Sequence, residues 1–230
     1  MNTQLIISIV SIVCFVPAIV VHEAAHGFMA HRLGDPTAKA QGRITLNPLK
    51  HLDPFGTVLL PILLAISGMP VFGYAKPVPY NPRYFKNIKV GEVLTGLAGP
   101  AANLLMALLG AVTALILSVT IDFSALEGYA RVIYGTAQGL DWLGVALTMF
   151  VLINLYLMFF NLIPIPPLDG SSVIMPLLPH KALPTWYQVQ RYALPILMIV
   201  VIVLPMLIGF NPLGIYLNAT AGNLAQLLLS

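Results

Sequence analysis

The chain has 230 residues, 58% of them hydrophobic and only 8% charged. Soluble domains carry about 25% charged residues, so the charges are too few to cover a water-exposed surface, and the mean hydropathy of +0.89 agrees. The length accommodates about four to six membrane spans of roughly 20 residues each and excludes a sizeable additional soluble domain.

Leu5 to Val21 is apolar, and helix should continue to about Leu33, where Gly34-Asp35-Pro36 stops it. This stretch lacks a basic n-region and a small-residue cleavage pattern, so it reads as a retained first helix rather than a signal peptide. Cys14 lies mid-run as a small buried or lipid-facing residue, and as the single cysteine it excludes an intrachain disulfide. Arg43-Ile44-Thr45-Leu46 alternates at strand period. Val58 to Phe72 is apolar but short and carries Pro61, Gly68 and Pro70, which suits a re-entrant or interfacial segment. The prolines of Tyr74 to Pro82 favour an extended, edge-like chain. Leu94 to Ile121 is uncharged and can span, and its Gly96, Gly99 and Gly110 permit close helix approach. A more polar connection, Asp122 to Asp141, leads to a further span, Trp142 to Ile163, and then to Pro164-Ile165-Pro166-Pro167-Leu168-Asp169-Gly170. Ser171 to Tyr192 reads as loop or short helices. Ala193 to Phe210 is another span, kinked at Pro195 and Pro205, and Leu213 to Leu229 lies on or in the membrane.

The net charge is +3. The basic residues cluster beside apolar runs, which points to membrane orientation and anionic headgroups and away from nucleic acid. Arg32, Lys39, Arg43 and Lys50 precede the short apolar segment, and Lys76, Arg83, Lys86 and Lys89 follow it. If that segment dips and returns, both clusters lie inside, the N-terminus lies outside, and Lys181 and Arg191 return inside.

The strongest chemical signal is His22-Glu23-Ala24-Ala25-His26. On a helix, positions four apart share a face, so both imidazoles can point at one metal. Glu23 lies about 100° further round and can reach a metal-bound water without ligating the metal. In a soluble helix this pattern arises by chance on a solvated face. Here it follows an apolar run, where an ionisable cluster is costly unless paired or coordinated. The residues read as a metal site, with a proton- or ion-transport relay as the alternative. For the third ligand Asp169 is the best candidate. From composition alone an ordinary Asp-Gly turn at a helix end explains it equally well.

The His-Glu-x-x-His in a first span, followed after a later span by Asn161-Leu162-Ile163-Pro164-Ile165-Pro166-Pro167-Leu168-Asp169-Gly170, resembles the site-2 protease family of intramembrane zinc metalloproteases. The second stretch matches the family pattern Asn-x-x-Pro-x-x-x-Leu-Asp-Gly. Gly99-Pro100-Ala101-Ala102-Asn103 resembles the family's Gly-Pro-x-x-Asn element. The resemblance implies that His22, His26 and Asp169 bind one Zn2+ and that Glu23 is general base and proton shuttle. It also implies that Asn161 positions the substrate carbonyl or stabilises the oxyanion, a task suited to an amide donor. Its alternative is an interhelical hydrogen bond. Packing between helices is the leading role for Asn103, with a substrate contact as the other. Relatives of this kind often carry a PDZ-type or nucleotide-sensing domain, for which no stretch here is long and polar enough, so regulatory partners would be separate chains.

The expected architecture is an all-α polytopic membrane protein, a bundle of about four to six transmembrane helices with a short membrane-associated β-hairpin or re-entrant segment. It forms a single domain over 1–230, with a catalytic core to about 175 and C-terminal helices beyond. The implied activity is hydrolysis of peptide bonds in or near transmembrane segments of single-span membrane proteins, from a cytoplasm-facing site in the plasma membrane. A substrate helix must unwind first. Strand edges around Arg43 to Leu46 and Tyr74 to Val78 can hold the unwound chain by β-augmentation, with Tyr74 and Val78 as contacts. They serve equally as a structural hairpin. His31, His51 and His180 are read as non-ligands.

Overall fold

A computed structural model describes residues 3–59, 63, 75–121, 123–136, 139–203, 205, 207 and 209–230. Three of its helices are long and apolar enough to cross a membrane: α1 (Thr3–Arg32), α2 (Ile88–Ile121) and α4 (Asp141–Asn161). Between the last two lies the short α3 (Ala125–Ile133), and α5 (Leu183–Met198) follows α4. Side chains such as Ile12, Val13, Leu105 and Leu109 stand more than 60% exposed on the long helices. Lipid is the solvent that suits them, and the chain is a multi-pass membrane protein.

Against the expectation of about four to six spanning helices, three are found among the described residues. At the expected span Ala193 to Phe210, the apolar helical stretch Tyr192–Val201 is shorter, and residues 204, 206 and 208 lie outside the description. The C-terminal stretch is helical at Pro212–Leu217 and Asn223–Leu229, joined by a π-helical turn at Asn218–Gly222.

By contacts the chain forms two compact units, Met1–Ile19 with Ala101–Phe160 and Tyr216–Ser230, and Val20–Pro100 with Asn161–Ile215. In the first, the buried Asn103 amide on α2 donates to the Ala18 carbonyl of α1 at 3.1 Å and to Asn154 Oδ1 of α4 at 2.9 Å. Asn154 donates in turn to the Phe150 carbonyl at 2.8 Å. One side chain thus ties three helices where no water competes. Gly110 lets α2 approach α4, since a Cβ there would lie 2.9 Å from Phe150 Cδ1 and from Val151 Cγ2. Asn103→Leu should lower stability by about 1–2 kcal/mol by stranding the Asn154 carbonyl, read as a fall in the midpoint of detergent-phase unfolding.

In the second unit, α1 stops where Gly34 takes φ +106, a conformation open to glycine. The fully buried Asp35 carboxylate then accepts from the Thr37 backbone N–H at 2.9 Å and from the Asn81 N–H at 2.6 Å. Burial opposes ionisation of this carboxyl, but the donors from Thr37 and Asn81 outweigh it and hold its pKa below the usual 3.8. A depressed pKa stabilises the fold above the unfolded value and loses that contribution as pH falls through the folded one. The unfolding temperature of the wild type should therefore fall below about pH 4, and Asp35→Asn should flatten that limb while lowering stability at neutral pH.

The expected β-hairpin is absent among the described residues, which contain no strand. Pro77, Pro79 and Pro82 lack the N–H groups that a ladder needs, and Ala75 to Asn81 has no regular secondary structure. Arg43 to Leu46 is bent, with Arg43 N–H donating to the Ala38 carbonyl at 2.9 Å. The two segments are joined by other bonds. The Arg43 guanidinium donates to the Lys76 carbonyl at 2.6 Å and the Pro77 carbonyl at 3.3 Å. The Lys76 N–H donates to the His51 carbonyl at 2.9 Å. The re-entrant expectation for Val58 to Phe72 falls almost wholly outside the described residues, as does Tyr74.

Candidate metal centre

Helix α1 carries His22 and His26 one turn apart, 4% and 8% exposed, with ring centroids 4.7 Å apart and planes at 81°. The third group arrives from the loop after α4. There the Gly170 N–H donates to the Asn161 carbonyl at 2.7 Å, closing a ring of residues around Pro164, Pro166 and Pro167. The Pro166–Pro167 peptide is cis. Gly170 can only be glycine here, because a Cβ would lie 2.7 Å from the Ile163 carbonyl oxygen and closer still to that of Leu162. This closure presents Asp169 with Oδ2 at 3.0 Å from His22 Nε2 and 3.3 Å from His26 Nε2. One ligand atom from each of the three residues lies within 4.8 Å of the others.

Helix α2 completes the site from the side. His26 Nδ1 lies 2.7 Å from the Thr95 carbonyl. A carbonyl only accepts, so Nδ1 carries the hydrogen, and Nε2 of the neutral ring presents a lone pair to the site. That lone pair faces the Asp169 carboxylate, whose buried Oδ2 accepts no well-directed hydrogen bond. Electron-rich atoms gathered this way can hold a shared cation. Directly above them is Gly99: a Cβ on it would stand 2.6 Å from both Cε1 and Nε2 of His22 and closer to His26 Nε2. The missing methyl leaves the cradle that the cation needs. Two imidazoles and a carboxylate, with an outer carbonyl fixing one tautomer, are the donor set of a catalytic zinc site that leaves a position open.

Glu23 lies beside the ligands, and its Oε2 accepts the Val78 backbone N–H at 3.0 Å. The structure thus gathers His22, His26, Asp169, Glu23 and Val78. Asn161 ends α4, and its carbonyl closes the Asp169 loop. The Asn103 amide bonds to Ala18 and Asn154 run between helices, as described above. His51 lies in a loop as expected, 2% exposed, with Nε2 2.9 Å from the Thr45 carbonyl. Neither His31 nor His51 belongs to the metal-binding group. Two contributors escaped the sequence reading in these roles. Gly99 is visible in the sequence as part of a small-residue pattern and of the Gly-Pro-x-x-Asn element, neither of which points to the imidazoles, and the Thr95 carbonyl carries no side-chain signal at all.

Comparison with known proteins agrees with this chemistry. Residues 10–204 match peptidase family M50. The chain is 37% identical over 205 residues to "Putative zinc metalloprotease YwhC" of Bacillus subtilis, covering 89% of this chain and 82% of that protein. It is 32% identical to "Putative zinc metalloprotease Rip2" of Mycolicibacterium smegmatis, over 67% of this chain and 52% of that protein. Against the Mycobacterium tuberculosis protein of the same name it is 30% identical, over 77% of this chain and 61% of the relative. The chain thus spans little more than half the length of these mycobacterial relatives. No solved structure matches it. With the family matched over most of its length, this chain belongs to peptidase family M50.

Proposed function

We propose that the chain is an intramembrane zinc endopeptidase that cuts peptide bonds in or near transmembrane segments of membrane proteins. The observation that carries the reading is the convergence of His22, His26 and Asp169 within 4.8 Å, with the Glu23 carboxylate on the next helix position. His22 Nε2, His26 Nε2 and an Asp169 carboxylate oxygen would hold the zinc. When bound, Zn2+ supplies Lewis acidity and lowers the pKa of water towards neutrality. Glu23 takes the proton from the attacking water and returns it to the leaving amine. Asn161 steadies the oxygen of the scissile carbonyl through its amide. Thr95 and Gly99 keep the imidazoles aimed.

The substrate segment must present an unwound backbone. An apolar groove beside the same turn of α1, lined by Val21, Ala24, Phe28, Ile44 and Leu46, suits its side chains. Tyr74, outside the described residues, remains a candidate contact for it. We place the enzyme in the plasma membrane, with the N-terminus outside and the site open towards the cytoplasm, from the distribution of basic residues. Catalytic parts fall within residues 1–175, and regulatory partners would be separate chains.

The test is direct. Purified protein in liposomes should contain one zinc per chain and cleave labelled single-span polypeptides. Stripping the metal with a chelator should abolish cleavage, and adding zinc back should restore it. Metal flux through the liposome wall without cleavage would instead indicate a transporter. Absence of zinc after reconstitution would sink the reading.

A further inference from the structure

We propose that the backbone N–H of Val78 is a positioning group that fixes the carboxylate of Glu23 for proton transfer. This rests on the reading of Glu23 as the general base. A glutamate side chain has three rotatable bonds and no intrinsic preference for the orientation that catalysis needs. Here Oε2 accepts the Val78 N–H at 3.0 Å, which leaves Oε1 as the oxygen that meets water. A fixed donor to a carboxylate is a strong, charge-assisted contact.

The donor is singled out by the sequence around it. Pro77 and Pro79 have no N–H, so Val78 supplies the one backbone donor of the Pro77-Val78-Pro79 stretch. The prolines also hold that stretch extended, which keeps the N–H pointing in one direction.

The segment is anchored on both sides. Upstream, Lys76 is gripped at its N–H by the His51 carbonyl and at its C=O by Arg43. Downstream, the Tyr80 hydroxyl donates to Glu92 Oε2 at 2.8 Å and the Asn81 N–H to Asp35 Oδ2 at 2.6 Å. Arg43, His51 and Asp35 are each at most 5% exposed, so these anchors are built into the packed interior. The Val78 side chain seats against Gly27 on α1, where a Cβ would lie 2.9 Å from Val78 Cγ1. The donor therefore stands on a fixed frame, with its own side chain seated against α1 one turn beyond the base that it orients. A bond that only satisfied a buried amide would need neither this frame nor this acceptor.

The experiment replaces the residue 78 amide by an ester, inserting the α-hydroxy analogue of valine by nonsense suppression. The side chain stays and the N–H is lost. Valine inserted at the same codon by the same route is the control. On the labelled single-span polypeptide that the wild type cuts fastest, kcat should fall about 100-fold, while KM and zinc content stay within about twofold, and the valine control should restore kcat. A second measurement needs neither metal nor turnover. In the zinc-free protein, Glu23→Ala should add one fast-exchanging amide to the peptide covering 75–81 in hydrogen–deuterium exchange. An ester protein with wild-type kcat, a change confined to KM, a loss of zinc, or unchanged exchange in Glu23→Ala would each overturn the proposal. If the ester protein fails to fold, the exchange result decides. If the wild type itself cuts nothing, the endopeptidase reading fails, and the exchange result still decides whether Val78 holds Glu23.

Discussion

Glu23→Gln is expected to keep one zinc per chain and to lower kcat by about a thousandfold. Glutamine is isosteric, and its amide oxygen can still accept the Val78 N–H that Glu23 Oε2 accepts at 3.0 Å. The three ligand atoms are untouched. The amide has no basic oxygen to take a proton from water and no proton to return to the departing amine. General acid–base catalysis by a positioned side chain is worth about 10²–10⁴-fold, and in the proposed mechanism one residue serves both steps. Zinc content by elemental analysis and single-turnover cleavage in liposomes separate the two quantities. Retained cleavage would remove Glu23 from the mechanism. Loss of zinc would make it part of the metal site instead.

Gly99→Ala is expected to weaken metal binding far more than it changes the stability of the zinc-free protein. In a helix interior alanine is favoured over glycine by about 1 kcal/mol, but displacing two buried rings costs about 1–3 kcal/mol even without zinc, so the zinc-free protein should be no more stable than the wild type. Yet the new Cβ would stand 2.6 Å from His22 Nε2 and nearer to His26 Nε2. The rings can escape only by swinging aside, which breaks the Thr95 contact on His26 and turns both lone pairs away from Asp169. Disturbing groups that orient a ligand costs about 10–100-fold in metal affinity, and two ligands move here, so a loss at the upper end or beyond is expected. Competition with a chromogenic chelator measures affinity, and thermal unfolding with and without zinc measures the rest. Zinc affinity equal to that of the wild type would show that the rings have room elsewhere.

Much of this site is legible in the residues because its chemistry depends on side chains at fixed helical spacing. His22, Glu23 and His26 declare themselves, since such groups have no ordinary reason to follow an apolar run. Asp169 was different. Residue by residue an Asp-Gly turn explained it as well, and only its surroundings from Asn161 to Gly170 made it specific. The structure then supplied the reason for that pattern, as Gly170 is wedged against the carbonyls of Leu162 and Ile163. No hairpin forms among the described residues, because Pro77, Pro79 and Pro82 lack the donors that would pair with the alternating Arg43 to Leu46. A guanidinium and a histidine carbonyl hold those segments together where a ladder was expected. The Thr95 carbonyl and the Val78 amide belong to the backbone, which every residue has, so no sequence signal marks them.

The loop closed by Gly170 and Asn161 has a consequence for how the enzyme comes into being. A ribosome makes proteins from the N-terminus, and early segments fold while later ones are still being added. The first helix enters the membrane with both imidazoles and the base already in place. The carboxylate that completes the trio comes only after α2, α3 and α4 have been synthesised. Throughout that interval the nascent chain holds an unfinished site, two ligands without the third. A protease assembled in this order stays disarmed among the other proteins being inserted beside it until its own helices are largely laid down. Chains arrested just short of Asp169 should hold zinc far more weakly than chains released beyond it.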